Sequence, residues 1–315
     1  MASSVVLADL HINTTKHPKF ELNRVNRLID GILAVNTKIT HVILAGDIFD
    51  RNTPSLRDIQ LFYYLVDKLQ QFTIEVINGN HDFSAFEFLP QAGFTYYNDI
   101  TYRDNFVFIP WSKLDMLPEV SEDKTIGCIS HARCTIPPHI VEEVPIIQFA
   151  EKFHTTILGD IHSPMSPYPN VHYCSSPHTT HYKPFKAYTH GFILVDNESL
   201  EIHRKWLPGP SKIKLVTDMD NLSTVVAQCT NEDNLYKIVV EDYAERLKGI
   251  NKKPKANVIV EPLVKVQTSK VSSRVQELLS QSKTIEDIVF QYVEENYLSY
   301  DSNVALEIRN KIKGN

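Results

Sequence analysis

Short uninterrupted apolar runs recur along the first half of the chain, separated by stretches whose apolar residues keep a helical period. Runs at residues 5–8, 42–45, 74–77, 125–129 and 155–158 read as buried strands of a parallel sheet. Between the first two, the stretch 20–36 carries Val25, Leu28, Ile29, Ile32 and Leu33 on one helical face, a βαβ crossover. Thr53-Pro54-Ser55 opens a second helix, with Ser55 as N-cap, Asp58 three residues on, and Leu61, Phe62, Leu65, Val66 and Leu69 facing the core. Pro164, Pro167 and Pro169 exclude regular helix and central strand just after residue 162. His172-Tyr173-Cys174 and Ser175-Ser176-Pro177 come next as a strand and its turn, and residues 191–195 and 200–206 predict a hairpin closing the sheet.

The residues just past each run carry chemistry. The runs end in Asp9-Leu10-His11, Gly46-Asp47-Ile48-Phe49-Asp50, Asn78-Gly79-Asn80-His81-Asp82, Ser130-His131 and Gly159-Asp160-Ile161-His162. Ligands of open α/β sheets bind at the carboxyl ends of the strands. Five strands of one sheet are therefore expected to deliver these groups to one edge. Oxygen and imidazole donors without cysteine suit Mn²⁺, Mg²⁺, Fe²⁺ or Zn²⁺. They outnumber the roughly four to six positions around one ion, which implies two ions sharing a carboxylate. Such pairs sit roughly 3.5–4 Å apart and clamp the attacking and leaving oxygens of an in-line displacement at phosphorus.

In this order, Asp-x-His, Gly-Asp-x-x-Asp, Gly-Asn-His-Asp, a lone His and Gly-x-x-His resemble the calcineurin-like metallophosphoesterases. Gly-Asp-Ile-Phe-Asp, Gly-Asn-His-Asp, Pro110-Trp111 and Tyr173-Cys174-Ser175-Ser176-Pro177 resemble the SbcD-type DNA repair nucleases, and within them bacteriophage recombination endonuclease subunits. The resemblance implies an α/β metallophosphoesterase β-sandwich flanked by helices, with a small α+β capping domain and a C-terminal helical tail. By position in the family's motifs, Asp9, His11, Asp47 and His162 hold one ion, and Asp47, Asn80, His131 and Asp160 the other. Mn²⁺ is the expected metal, with Mg²⁺ as the alternative. His81 is then not a ligand: it protonates the leaving oxygen or stabilises charge at phosphorus, with Asp82 holding its imidazole. Asp160 departs from the family, which usually has Gly-His-x-His; an oxygen there hardens the second site.

Beyond residue 206 the pattern is sparser. Leu207-Pro208-Gly209-Pro210 marks a boundary, dividing a nuclease domain (1–206) from a capping, DNA-positioning domain (207–265) and a helical tail (266–315). In the tail, Thr284 and Asp287 form a capping-box pattern ahead of Ile285, Ile288, Val289, Tyr292 and Val293. That stripe packs on its own domain or, as the resemblance implies, docks near the coiled coil of an SbcC-type ATPase. Lys252, Lys253 and Lys255 in a basic loop, and Arg51 beside Asp50, are candidate phosphate contacts; solubility and a surface ion pair explain them equally well. Tyr96, Tyr97, Tyr102 and Phe106 suit either base stacking or a hydrophobic patch under a loop.

Composition narrows the class without deciding it. The 315 residues are 43% hydrophobic, ample for a large domain and a smaller one, and the net charge is −6. The first 206 residues hold 17 basic and 23 acidic side chains and the remainder 15 of each, so the whole deficit lies in the part that carries the metal motifs. Attraction for DNA must then come from ions and local patches. Four scattered cysteines, among them Cys128 and Cys134, fit reduced thiols in a cytoplasm, the bacterial host's if the chain is phage-encoded. No membrane span or secretion signal is evident. The function expected is a two-metal DNA nuclease, exonuclease, endonuclease or both, in repair or recombination, working with the ATPase and forming a homodimer within that complex. The alternatives are another phosphoesterase, such as a protein phosphatase or cyclic-nucleotide phosphodiesterase, and a binding module that kept the fold without the chemistry. The roles of His178, His181 and His190 stay open.

Overall fold

A computed structural model describes residues 2–15, 17–119, 125–133, 143–180, 190–209, 211–218, 220–240 and 253–262. The chain divides into two compact units, 1–262 and 263–315. The second lies outside the described residues, as do the expected tail helices, Lys252, Cys134 and His181.

In chain order the elements begin with β1 (Ser3–Leu7), α1 (Pro18–Leu33), β2 (Ile39–Ala45), α2 (Leu56–Lys68), β3 (Thr73–Ile77), β4 (Thr95–Tyr97), β5 (Thr101–Arg103) and β6 (Phe106–Ile109). Then come β7 (Gly127–His131), α3 (Ile146–Lys152), β8 (Thr155–Gly159), β9 (Met165–Tyr168), β10 (Val171–Tyr173), β11 (Gly191–Asp196) and β12 (Ile202–Trp206). A smaller set comes last: β13 (Lys212–Thr217), α4 (Leu222–Gln228), β14 (Leu235–Val240) and β15 (Val258–Pro262).

The local rules read from the sequence govern the helices. Pro18 stands in the first turn of α1, where a missing N–H costs nothing. The capping box of α2 is complete: the Ser55 hydroxyl accepts from the Asp58 N–H, and the Asp58 carboxylate accepts from the Ser55 N–H at 2.8 Å.

The strands form two six-stranded sheets, β12-β11-β1-β2-β3-β4 and β5-β6-β7-β8-β10-β9, plus a three-stranded parallel sheet β13-β14-β15. The expectation of a single sheet is thereby corrected. β1, β2 and β3 lie in the first sheet and β7 and β8 in the second, because a run of buried apolar residues records burial on both faces but not which sheet the strand joins. Alternation along each strand divides the core into layers. Val5, Leu7, Val42, Leu44 and Val76 pack with α1 and α2, whereas Val6, Ala8, Ile43, Ala45 and Ile77 meet Phe106, Phe108, Ile129 and Ile157 between the sheets. On the far side Val107, Ile109, Cys128 and Leu158 pack against Phe149 of α3. The result is a β-sandwich flanked by helices. The Pro-rich segment supplies β9, an edge strand, where Pro167 interrupts no central ladder.

The three-stranded sheet has its own core, Ile213, Tyr236, Ile238, Val240, Val258 and Val260 with Cys229, and α4 crosses between β13 and β14. It belongs to the same compact unit as the sandwich. The Lys212 N–H donates to Thr179 Oγ1 at 2.7 Å and Lys212 Nζ to the Thr180 carbonyl at 3.0 Å, tying β13 to the segment after β10. Among the described residues no helix is long and apolar enough to cross a membrane.

Candidate metal centre

The parallel strands β1, β2 and β3, and across the interface β7 and β8, all end at one edge. Hydrogen bonding continues past the first two: Asp9 N–H to Gly46 O (3.1 Å), His11 N–H to Asp47 O (2.9 Å) and Ile12 N–H to Ile48 O (2.8 Å). Seven described non-glycine residues have positive φ, and four of them are Asp9 (57°), His11 (46°), Asp47 (51°) and Asp160 (88°). Left-handed backbone costs a non-glycine residue of the order of 1–3 kcal/mol, so its concentration here marks a site whose shape is imposed by the surrounding fold. Part of the support is Arg24, 1% exposed, which grips both Glu21 oxygens at 2.8 Å and donates through Nη2 to the Leu10 carbonyl at 2.9 Å, between Asp9 and His11.

Side-chain donors converge from both sheets. His11 Nε2 and His162 Nε2 are 3.0 Å apart. His162 Nε2 is 3.6 Å from Asp9 Oδ1, and His11 Nε2 is 3.6 Å from Asp47 Oδ2. The same Asp47 oxygen lies 3.4 Å from His131 Nε2, which is 3.2 Å from Asn80 Oδ1. Asp47 thus stands between a His11–His162–Asp9 group and a His131–Asn80 group, the position a shared carboxylate needs. His131 Nδ1 is 2.9 Å from the Ala45 carbonyl, which only accepts; the Nδ1 proton is thereby assigned and Nε2 aimed at Asp47. His162 Nδ1 contacts Thr180 Oγ1 at 2.8 Å.

The electrostatics are those of a cation site. Complete burial, reinforced by Asp47 and Asp160, lifts Asp9 to about 7 against the pull of His131 and His11. Burial also opposes ionisation of Asp47, but His131, His11 and the His81 N–H outweigh it and hold Asp47 well below the usual carboxylate range. His131 is raised despite burial, because Asp47, Asp9 and Asp160 surround it. Nδ1 of His11, buried, makes no hydrogen bond. Asp9–His11–His162 and Asp9–Asp47–His131 each offer donors mutually within 4.8 Å, and so does His11–Asp50–His81. Buried carboxylates and imidazoles facing one another fit divalent ions of the hard to borderline kind.

Other expected residues sit differently. His81 is exposed, its N–H donates to Asp47 Oδ1 (2.9 Å), and its Nδ1 lies 3.1 Å from the Asp50 carbonyl. Asp82, expected to hold that imidazole, does not: it is fully buried and accepts from the N–H groups of Ile48 (2.6 Å), Phe49 (3.1 Å) and Gly79 (2.8 Å). It fastens the Asp47 loop to the Asn80 loop instead. Asp160 also departs from expectation. Its N–H donates to Asp9 (3.1 Å), while both its carboxylate oxygens are held by Arg133, Nη2 at 2.7 Å and Nε at 3.0 Å. Both Asp160 oxygens therefore face Arg133 in this structure, and Asp160 belongs to none of the three donor groups named above. Arg51 turns to Thr15 Oγ1 (2.6 Å) and Asp58 (3.6 Å), away from the cluster. Lys253 is exposed, and Lys255 Nζ donates to the Cys229 carbonyl at 3.0 Å. One contributor escaped the sequence reading, Arg133, two residues past His131; Asp50, read as part of a motif but assigned no role, has its Oδ1 3.4 Å from His11 Nδ1. The Gly-Asp-x-x-Asp spacing pointed to Asp50; nothing local pointed to Arg133.

A cavity of about 440 Å³ runs from this cluster toward the small sheet. His11, Asp50, His81 and His162 line one side; Lys212, Lys237 and Glu261 line the other, with Glu21 and Arg24 between.

The family model of the calcineurin-like phosphoesterases matches residues 3–166, just over half of the chain and the part that builds this cluster. The chain belongs to that family. As a calcineurin-like phosphoesterase it is a metal-dependent hydrolase of phosphoesters, with candidate Asp and His clusters for divalent ions. No curated protein matches. Among solved structures, a hypothetical protein PH1004 from Pyrococcus horikoshii OT3 is 13% identical with a TM-score of 0.38, covering 74% of this chain and 96% of its own. Nuclease MPE of Pseudomonas putida is 14% identical with a TM-score of 0.32, covering 64% of this chain and 87% of its own.

Proposed function

We propose that this phosphoesterase hydrolyses phosphodiester bonds of DNA with two divalent ions, Mn²⁺ first among them. The observation that carries the reading is the position of Asp47 Oδ2 between His11 and His131, at the mouth of a cleft whose opposite wall carries Lys212 and Lys237. Asp9, His11 and His162 would hold one ion and Asn80 and His131 the other, with Asp47 common to both. Bound there, the ions supply Lewis-acid charge to the phosphoryl oxygens and to the attacking water. The chain's own groups do the rest. The Asp50 carbonyl, an acceptor only, keeps one proton on His81 Nδ1; in the imidazolium form the second proton sits on Nε2, from which it passes to the leaving oxygen and leaves the neutral Nδ1–H ring. Lys212 adds positive charge to the cleft that the small sheet bounds, whereas Lys237 on the same wall is paired with Glu261 at 2.7 Å. An SbcC-type ATPase partner, a role in repair or recombination and a phage origin belong to this proposal through the motif resemblance alone.

The test compares Mn²⁺-dependent cleavage of labelled duplex and single-stranded DNA with hydrolysis of phosphoprotein and cyclic nucleotide, with and without a co-expressed ATPase. Cleavage of DNA at rates above the other substrates is expected. Dephosphorylation of protein with intact DNA would sink the nuclease reading.

A further inference from the structure

Strands β7 and β8 end side by side, with His131 opposite Gly159 in the register, so the next residues of both project beyond the sheet at the metal edge. There Arg133 and Asp160 form a two-pronged pair at 2.7 and 3.0 Å, the carboxylate side chain 4% exposed and the guanidinium side chain 36%. The arginine is restrained at its backbone as well. Its N–H donates to Glu143 Oε2 at 2.8 Å, and its carbonyl accepts from the Glu143 N–H at 2.8 Å. The other Glu143 oxygen takes the Trp111 indole N–H at 2.9 Å. Asp160 is fixed in turn by its N–H on Asp9 and its left-handed backbone. With Nε and Nη2 committed, Nη1 has no hydrogen-bond partner among the described residues. The pair adjoins the cluster through Asp160, whose N–H donates to Asp9 Oδ1 at 3.1 Å.

An arginine held by a buried carboxylate keeps its full charge at any working pH, and its plane is oriented before anything binds. Resting on the phosphodiesterase reading, we propose that Arg133 is a substrate-binding residue. Its Nη1 edge takes a non-bridging oxygen of the scissile phosphate, and Asp160 is the anchor of that guanidinium rather than a ligand of the second ion. Substituting aspartate for the family's imidazole at this position then trades a metal ligand for an oriented cation.

The experiment uses the full chain and the variants Arg133→Gln, Arg133→Lys and Asp160→Asn. Each is read three ways: Mn²⁺ stoichiometry by calorimetry, binding of inorganic phosphate to the Mn²⁺-loaded protein, and KM and kcat on bis-p-nitrophenyl phosphate. Loss of a charge-assisted hydrogen bond should weaken phosphate binding and raise KM by on the order of tenfold in Arg133→Gln. Arg133→Lys should recover part of this, and Asp160→Asn should raise KM while two Mn²⁺ still bind. Unchanged phosphate affinity in Arg133→Gln and Arg133→Lys overturns the assignment of Arg133. One Mn²⁺ fewer in Asp160→Asn overturns the anchor role. Phosphate binding is measured without turnover, so wild-type protein inert toward diesters would defeat the phosphodiesterase reading while still deciding this one.

Discussion

His131 reaches from one sheet of the sandwich to the other, its Nδ1 lying 2.9 Å from the carbonyl of Ala45. The two residues belong to β7 and β2, and two glycines leave room for the contact. A Cβ on Gly46 would meet the His131 ring at 2.5 Å, and a Cβ on Gly159 would collide with His131 Nδ1 and lie 2.7 Å from the Ala45 carbonyl. Gly46 also has φ +86°, where any side chain is strained.

Gly159→Ala therefore tests the crossing directly. The added methyl should displace the imidazole, lower stability by about 1–3 kcal/mol as overpacking does, and weaken one Mn²⁺-binding event selectively. Chemical denaturation and calorimetric Mn²⁺ titration of one preparation give both values. Two undisturbed Mn²⁺ sites would show that His131 needs no such placement.

Asp82→Ala probes a structural group inside a catalytic motif. It leaves three backbone N–H groups without their acceptor in a buried setting, a loss of at least ~3 kcal/mol. Asp82→Asn should be intermediate, since one oxygen survives. Denaturant midpoints rank the three proteins, and equal midpoints would contradict the fastening role.

Removing His81 should separate chemistry from metal binding. His81→Asn is expected to lower turnover by roughly 10²–10⁴-fold while both Mn²⁺-binding events persist, because the ring is proposed as a proton donor and not a ligand. Loss of one binding event in the titration would move His81 into the ligand set alongside His11 and Asp50.

The stabilisation that Mn²⁺ confers should grow with pH. Asp9, held up to about 7 by burial, binds a proton in the folded metal-free protein at pH values where the unfolded chain has released it. Its contribution is complete below about 4 and is lost as pH rises through 7; Asp82, raised to about 6 by burial and the Asp47 charge, acts in the same direction. Histidines 11 and 131, raised by the surrounding carboxylates, lose their contribution on the same side. Mn²⁺ must displace the protons of Asp9, His11 and His131, the ligands among these groups. The melting-temperature difference between Mn²⁺-loaded and chelated protein is expected to widen from pH 5 to pH 8. A difference that narrows over that range would contradict the ligand set.

Features set within a few residues were readable in advance. The Ser55–Asp58 box, the apolar face of α1 and the β11–β12 hairpin depend on neighbours in sequence, and the strand-end motifs depend on the short distance from a run to its last residue. Sheet membership was not readable, since β3 and β7 present the same kind of apolar run while belonging to different sheets. The partner of Asp160 was equally hidden: Arg133 is 27 residues away, and only the alignment of two strand ends brings them together. Asp82 was misread for a related reason, because adjacency to His81 in the chain says nothing of the backbone N–H groups that the surrounding loops would turn toward it.

The apolar interface between the sheets has a consequence beyond cohesion. Side-chain contacts on both faces of the cluster depend on one sheet keeping its place over the other, and the residues that set this place are Ile43, Ile129, Ile157 and Phe108, which have no chemistry of their own. The interface serves as an alignment gauge. Trimming it by a methyl group or two will be felt less as lost stability than as ligand sets that no longer meet, so catalytic defects are to be sought among variants of wholly hydrophobic residues.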